Sequence, residues 1–256
     1  MRTDSFKHQI KYRIMKKIAK FFSIMFVSGA LVSYTSCEPD FCTGDPVDKN
    51  SEVPAEPDKP TEQGGTNESA ASKYFTQSQL EQATTTAAAD YLTAEEKLVV
   101  FYCNLARLDG KAFVEAFLSD LKTSQDSYEK SLIDTLVKVK DFPMLVPNKK
   151  LSEAAEYHAN DIGKAGLVQH ESTDGTKTFD RIKKYYQGGY MAENISCGYN
   201  DALSIVRQLL VDKGVESLGH RKNILGNNYT RIGVAIREHA TYRHCCVQDF
   251  SDARGD

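Results

Sequence analysis

Apolar residues recur at helical spacing through most of this chain and at strand spacing only near its end. Residues 76–92 predict a helix of low complexity, with Thr84, Thr85, Thr86 and Ala87 in its middle. Thr93 followed three residues later by Glu96 is a capping-box pattern. It opens a helix that runs through Arg107 with Leu98, Phe101, Leu105 and Leu108 on one face. Residues 113–137 are charged and amphipathic and predict one or two further helices. The segment 141–148, containing Pro143 and Pro147, predicts an extended lead-in. A helix follows from Leu151 with the apolar stripe Leu151, Ala154, Ala155, His158, Ile162 and Ala165. Another over 201–213 buries Leu203, Val206, Leu209 and Leu210 and ends at Asp212. Only then do β-rich, turn-bounded runs appear, at 232–236 and 244–250. Helices first and strands late, with short connections, indicate an α+β fold.

The first part of the chain has a different composition. Lys16, Lys17 and Lys20 precede an apolar run from Phe21 to Val32, which is too short to span a bilayer and matches an export signal; Met15 is a plausible start for it. The run ends at Thr35, Ser36 and Cys37, which resembles a bacterial lipoprotein cleavage and acylation site, although Tyr34 departs from that pattern. Residues 1–36 therefore read as a signal peptide and Cys37 as a lipid anchor, each buried methylene contributing about 0.8 kcal/mol. Pro46, Pro54, Pro57 and Pro60 among Glu, Asp, Gly and Ser leave residues 37–73 little to bury, and they read as a disordered tether with an end-to-end distance of about 35 Å. Residues 74–94 then form a helical extension to the domain proper.

The full chain, 256 residues of which 41% are hydrophobic, is large enough for one substantial core. Loss of residues 1–36 removes seven basic residues and one acidic one, taking the net charge from -3 to -9. Nucleic acid is thus a poor partner, since its binding rests on neutralising phosphates. Five cysteines besides Cys37 would reach an oxidising compartment, where disulfides become possible and an odd number leaves at least one unpaired.

Candidate chemistry concentrates between His158 and Asn223. An alanine-rich helix carrying His158 is followed by His170-Glu171-Ser172, Phe179-Asp180-Arg181, Ala192-Glu193-Asn194-Ile195, and Gly219-His220-Arg221 with Asn223-Ile224-Leu225. In order and spacing these motifs resemble the bacterial branch of the cysteine-rich secretory, antigen-five and pathogenesis-related-one (CAP) superfamily. The resemblance covers roughly residues 95 to 252, with 113–137 as a helical insertion. It implies a three-layer α-β-α sandwich with a small, mainly antiparallel sheet, and structural roles for Asn104 and Arg107. It also implies a cleft in which two histidines and two acidic residues can hold a divalent metal: His170, Glu193 and His220 match directly, and Asp212 takes the fourth place with an acid one methylene shorter. His158, alone on an apolar stripe, reads as a hydrogen-bonded core residue.

The residue types alone fit zinc, for which imidazole nitrogens and carboxylate oxygens are suitable ligands. A buried hydrogen-bond network tying loops together would use the same residues. Two enzymatic readings exist: a zinc hydrolase with His170 and His220 as ligands and Glu193 as general base, and a cysteine enzyme with Cys197 as nucleophile. The resemblance favours neither, because its members are mostly binding modules. The expectation is therefore an exported, membrane-tethered cell-envelope protein that binds an unknown lipid, glycan or protein ligand, with a divalent metal such as zinc as possible cofactor.

Overall fold

The computed structural model describes residues 64–256, with side chains from Ser69 onward. The signal segment 1–36, Cys37 and the tether up to residue 63 lie outside the described residues. The end of the predicted tether does not stay extended: α1 spans Gly64–Tyr74. Ala71 on α1 and Phe75 just after it are both buried, so this stretch has apolar surface that its polar composition hides. The predicted helix over 76–92 is also shorter than expected. α2, Gln77–Ala83, starts with a capping box between Thr76 and Gln79 and stops at the threonine run. There Thr84 Oγ1 donates to the carbonyl of Leu80 at 2.7 Å, and Thr85 Oγ1 to that of Leu145 at 2.7 Å. Threonine hydroxyls that satisfy backbone carbonyls in this way compete with helix continuation.

α3, Ala94–Leu108, carries the Thr93/Glu96 capping box that the sequence predicts. Its burial is not confined to one stripe. Every residue from Tyr102 to Leu108 is buried while Leu98 and Phe101 are only half-buried, because α3 is the central helix of its layer and has neighbours on several sides. Two polar side chains on it tie the chain together. Asn104 Nδ2 donates to the carbonyls of Ala83 (3.1 Å) and Leu145 (3.0 Å), and its Oδ1 accepts from Leu145 N (2.8 Å). The fully buried Arg107 donates to the carbonyls of Pro143 (2.7 Å), Ile224 (2.7 Å), Gly226 (2.9 Å) and Tyr229 (3.0 Å). Four carbonyl acceptors satisfy a guanidinium that burial would otherwise make expensive. The segment read as an insertion folds as α4, Gly110–Phe117, a short 3-10 helix, Ser119–Thr123, and α5, Ser127–Leu136. Phe113, Leu118, Leu132 and Leu136 within it are completely buried in the same core as α3.

Four strands follow: β1, Val146–Pro147; β2, Met191–Cys197; β3, Arg231–His239; and β4, Arg243–Ser251. They pair in the order β1-β3-β4-β2, antiparallel except for the short β1–β3 contact. α6, Lys149–Ala165, covers one face. It approaches so closely that a Cβ on Gly233 would sit 2.1 Å from the Leu151 carbonyl carbon, and one on Gly163 2.3 Å from Glu238 O. The other face packs on α3 and on α8, Ala202–Val211, and α9, Gly219–Leu225. The result is the expected α-β-α sandwich with a small, mainly antiparallel sheet. β2 is the strand that the hydrophobic pattern did not disclose. It is buried at every position except Cys197, so polar Glu193, Asn194 and Ser196 lie inside and no alternation marks the strand.

Candidate functional site

Strand β2 is an edge of the sheet, and its side chains alternate between the two helical layers. Ile195 and Cys197 pack with Ala155, Ala159 and Ile162 of α6, which puts Glu193 on the α6 side as well. Asn194 lies on the opposite side. Each side holds one histidine paired with a carboxylate, and the α6 side holds a second, buried one.

On the α6 side, His170 Nδ1 lies 2.8 Å from Glu193 Oε1. The other carboxylate oxygen accepts from Arg181, which projects from α7, Thr178–Lys183. Arg181 also donates to the carbonyl of His170 at 2.9 Å and to Ser172 Oγ at 3.2 Å, and Thr178 Oγ1 donates to that same carbonyl at 2.9 Å. The loop carrying His170 is therefore held by the residues that hold Glu193. Burial alone would push the Glu193 carboxyl up; the His170 hydrogen bond and the neighbouring Arg181 charge outweigh it and keep the group below the usual carboxylate range. His158 is completely buried, 2.9 Å from the carbonyl of Gln169 and 3.8 Å from Glu193 Oε1. Burial lowers its pKa despite the attraction of Glu193, which favours the neutral ring. Directly across the ladder from Glu193 is Asp249 on β4. Both of its carboxyl oxygens lack a hydrogen-bond partner among the described residues, and burial followed by the Glu193 charge pushes it far above the usual range.

On the other side, Asp212 occupies the left-handed residue that closes α8, at φ 58°. Its Oδ1 lies 2.6 Å from His220 Nδ1, and its Oδ2 accepts from the Arg221 backbone N–H at 3.1 Å. The Arg221 side chain donates to the carbonyls of Leu210 (2.7 Å), Val211 (2.9 Å) and Tyr128 (3.0 Å) and to Ser131 Oγ (2.9 Å), fastening this corner to α5. Amides tie this corner to β2 and β4. Asn194 Nδ2 donates to the carbonyl of His220 at 3.2 Å and to Gln248 Oε1 at 3.1 Å, and Asn223 Nδ2 donates to Asn194 Oδ1 at 2.9 Å.

The four residues named from the resemblance thus come together as two histidine–carboxylate pairs, one on each side of β2. A carboxylate only accepts, so each imidazole carries a proton on Nδ1, and only Nε2 is left to meet a ligand. Each carboxylate oxygen already has a donor from the protein. Among the described residues no three His, Cys, Asp or Glu side chains converge closely enough to hold a metal ion. Cys197 belongs elsewhere: its Sγ is 3.2 Å from Cys245 Sγ, and among the described residues it makes no hydrogen bond to either imidazole. Residues 138–250 match the family model of the cysteine-rich secretory protein family.

The chain carries a CAP domain.

The matched CAP segment starts after α5, although α3 and α4 share its core. Among relatives, the uncharacterized protein YkwD of Bacillus subtilis is 29% identical over 120 residues, covering 45% of each protein. Solved structures that resemble this chain include an extracellular protein containing an SCP domain from Bacillus anthracis, at 22% identity and TM-score 0.38, covering 43% of this chain and 34% of that one. The venom allergen-like protein 4 of Schistosoma mansoni is 14% identical with TM-score 0.40, covering 64% and 91%. The match therefore spans less than half of YkwD and about a third of the Bacillus anthracis chain.

Three participants in the CAP site escaped the residue-by-residue reading. Arg181 stood in the quoted Phe-Asp-Arg run, and Asn223 in the run after Gly-His-Arg, but neither had an assigned partner. Asp249 gave no signal at all, since only the register of β2 with β4 sets it against Glu193.

Proposed function

We propose that this CAP domain is a binding module, with its site at the β2 edge, and not a hydrolase. The observation that carries this reading is the engagement of both carboxylates. A general base must be free to take a proton from water. Glu193, the candidate base, is held through one oxygen by His170 and through the other by Arg181, with its pKa held down. The arrangement favours positioning: two partly exposed imidazoles are fixed by buried acids, which leaves their Nε2 atoms to meet a ligand. The ligand class is a lipid, glycan or protein.

The same reading revises the metal proposal. A divalent cation such as zinc would be held by His170 and His220 through Nε2, with Glu193 and Asp212 orienting the rings and not entering the coordination sphere. Such a metal would supply a Lewis acid at the cleft. Calorimetric titration of zinc at pH 7.5 and 5.5 tests this, because protons compete with metal for neutral imidazole. Weaker binding at pH 5.5 is expected, with loss of binding in His170→Ala and in His220→Ala but only a 10- to 100-fold weakening, roughly, in Asp212→Asn. Binding indifferent to both histidine substitutions would end the metal proposal. The envelope location is likewise proposed, from the apolar run ahead of Cys37. Cys37→Ala is expected to release the protein from the membrane fraction, and a wild type that is already soluble would refute the anchor.

A further inference from the structure

We infer that Cys197 and Cys245 form a cross-strand disulfide that locks the edge strand β2 to β4, while Cys103 and Cys246 remain thiols. The two residues are register partners in the β2–β4 ladder, with their sulfurs 3.2 Å apart. The next rung fixes which kind of pair they are. Gly198 N donates to the carbonyl of His244 at 2.9 Å while the His244 N–H turns back to the carbonyl of Tyr242, so the cross-strand hydrogen bond falls on the 198–244 rung and the 197–245 rung is the one without. In antiparallel sheets the rung without hydrogen bonds brings Cα atoms closer, about 4.5 Å against 5.5 Å, within the Cα separation that a disulfide spans.

Strand alternation selects the pairing from the four cysteines described. Cys245 and Cys246 are adjacent and face opposite layers: Cys245 packs with Cys197 and α6, and Cys246 lies in the larger core with Cys103. Cys246 therefore cannot replace Cys245 across from Cys197 without turning the strand over. Access separates the two groups further. Cys197 is half-exposed on an edge strand, whereas Cys103 and Cys246 are completely buried, and burial pushes the Cys103 thiol up to about 12. An oxidant can reach Cys197 and neither of the other two.

The chemistry needs an external acceptor, which is a disulfide: oxidised glutathione or the active-site disulfide of a thiol oxidase. Cys197 loses a proton and its thiolate attacks one acceptor sulfur, breaking the acceptor S–S bond and releasing one thiol. Cys245 loses its proton, and its thiolate attacks Cys197 Sγ, forming the protein S–S bond and expelling the second thiol. Two protein thiols are oxidised and one acceptor disulfide is reduced to two thiols. Cys197 lies on the same side of β2 as Glu193, four residues along, so the bond would pin the strand that presents Glu193 to His170. This inference does not depend on what the cleft binds.

The test uses the full chain, purified reduced and then incubated with oxidised glutathione. Remaining thiols are alkylated without reduction, and the protein is digested with trypsin. Cleavage after Lys184, Arg207, Arg243 and Arg254 puts Cys197 in peptide 185–207 and Cys245 in peptide 244–254. The expected product is these two peptides linked, with one alkylated cysteine on the second. The link should survive Cys246→Ser and vanish in Cys197→Ser and Cys245→Ser. Oxidation should also raise the thermal midpoint by on the order of 5–15 °C, reversed by dithiothreitol in the wild type and absent in Cys197→Ser. Recovery of both peptides fully alkylated after oxidation, or a link that Cys246→Ser abolishes, would overturn the inference.

Discussion

Replacing Arg181 by Met tests the centre of the α6-side network most directly. Arg181 and Glu193 are both almost completely buried. The substitution keeps most of the side-chain volume but removes the partner of one Glu193 oxygen and the donor to His170 O and Ser172 Oγ. The His170 carbonyl keeps Thr178 Oγ1, so its loss is partial. The main penalty comes from Glu193, which would be left as a buried carboxylate with one hydrogen bond. Breaking a buried ion pair from one side costs about 3–5 kcal/mol. For a domain of this size that corresponds to a fall in thermal midpoint of roughly 6–20 °C. Urea unfolding at pH 7 measures the free energy directly. The double variant Arg181→Met with Glu193→Gln separates charge from packing: removing the stranded charge should return about 2 kcal/mol or more relative to the sum of the single changes. The network argument fails if Arg181→Met costs less than about 1 kcal/mol, or if the two losses simply add.

Other outcomes follow from the same geometry. The folded-state pKa of His158 is depressed, so its contribution to stability is complete above its unfolded value of about 6.5 and is lost as pH falls toward the folded value. Glu193, also depressed, adds a second loss below the ordinary carboxylate range. The urea midpoint should therefore fall from pH 7 to 5, with a shallower slope in His158→Gln; a midpoint that rises over this range would contradict the assignment. Gly163→Ala puts a Cβ 2.3 Å from Glu238 O at the α6–β3 contact, where backbone must move, and should cost about 1–3 kcal/mol or more in urea unfolding. A neutral result would mean that α6 can lift off β3 freely.

The sequence alone disclosed the elements whose periodicity or capping is local. The Thr93/Glu96 box, the α6 stripe and the last two strands are written in neighbouring residues, and the structural roles of Asn104 and Arg107 came from the family resemblance. So did the candidate residues, because His170, Glu193, Asp212 and His220 sit in short motifs that survive as text. Local pattern failed where burial came from distant neighbours. β2 looked polar because helices on both of its faces cover Glu193, Asn194 and Ser196, and the threonine run ended α2 because Leu145, 60 positions away, offers Thr85 an acceptor. Tertiary structure alone decided that the four residues form two pairs, since which side of β2 each occupies depends on strand register and on where α6 and α9 dock. It alone paired Asp249 with Glu193 and Cys197 with Cys245, because contact across an antiparallel ladder is set by register, and register is a property of the assembled sheet.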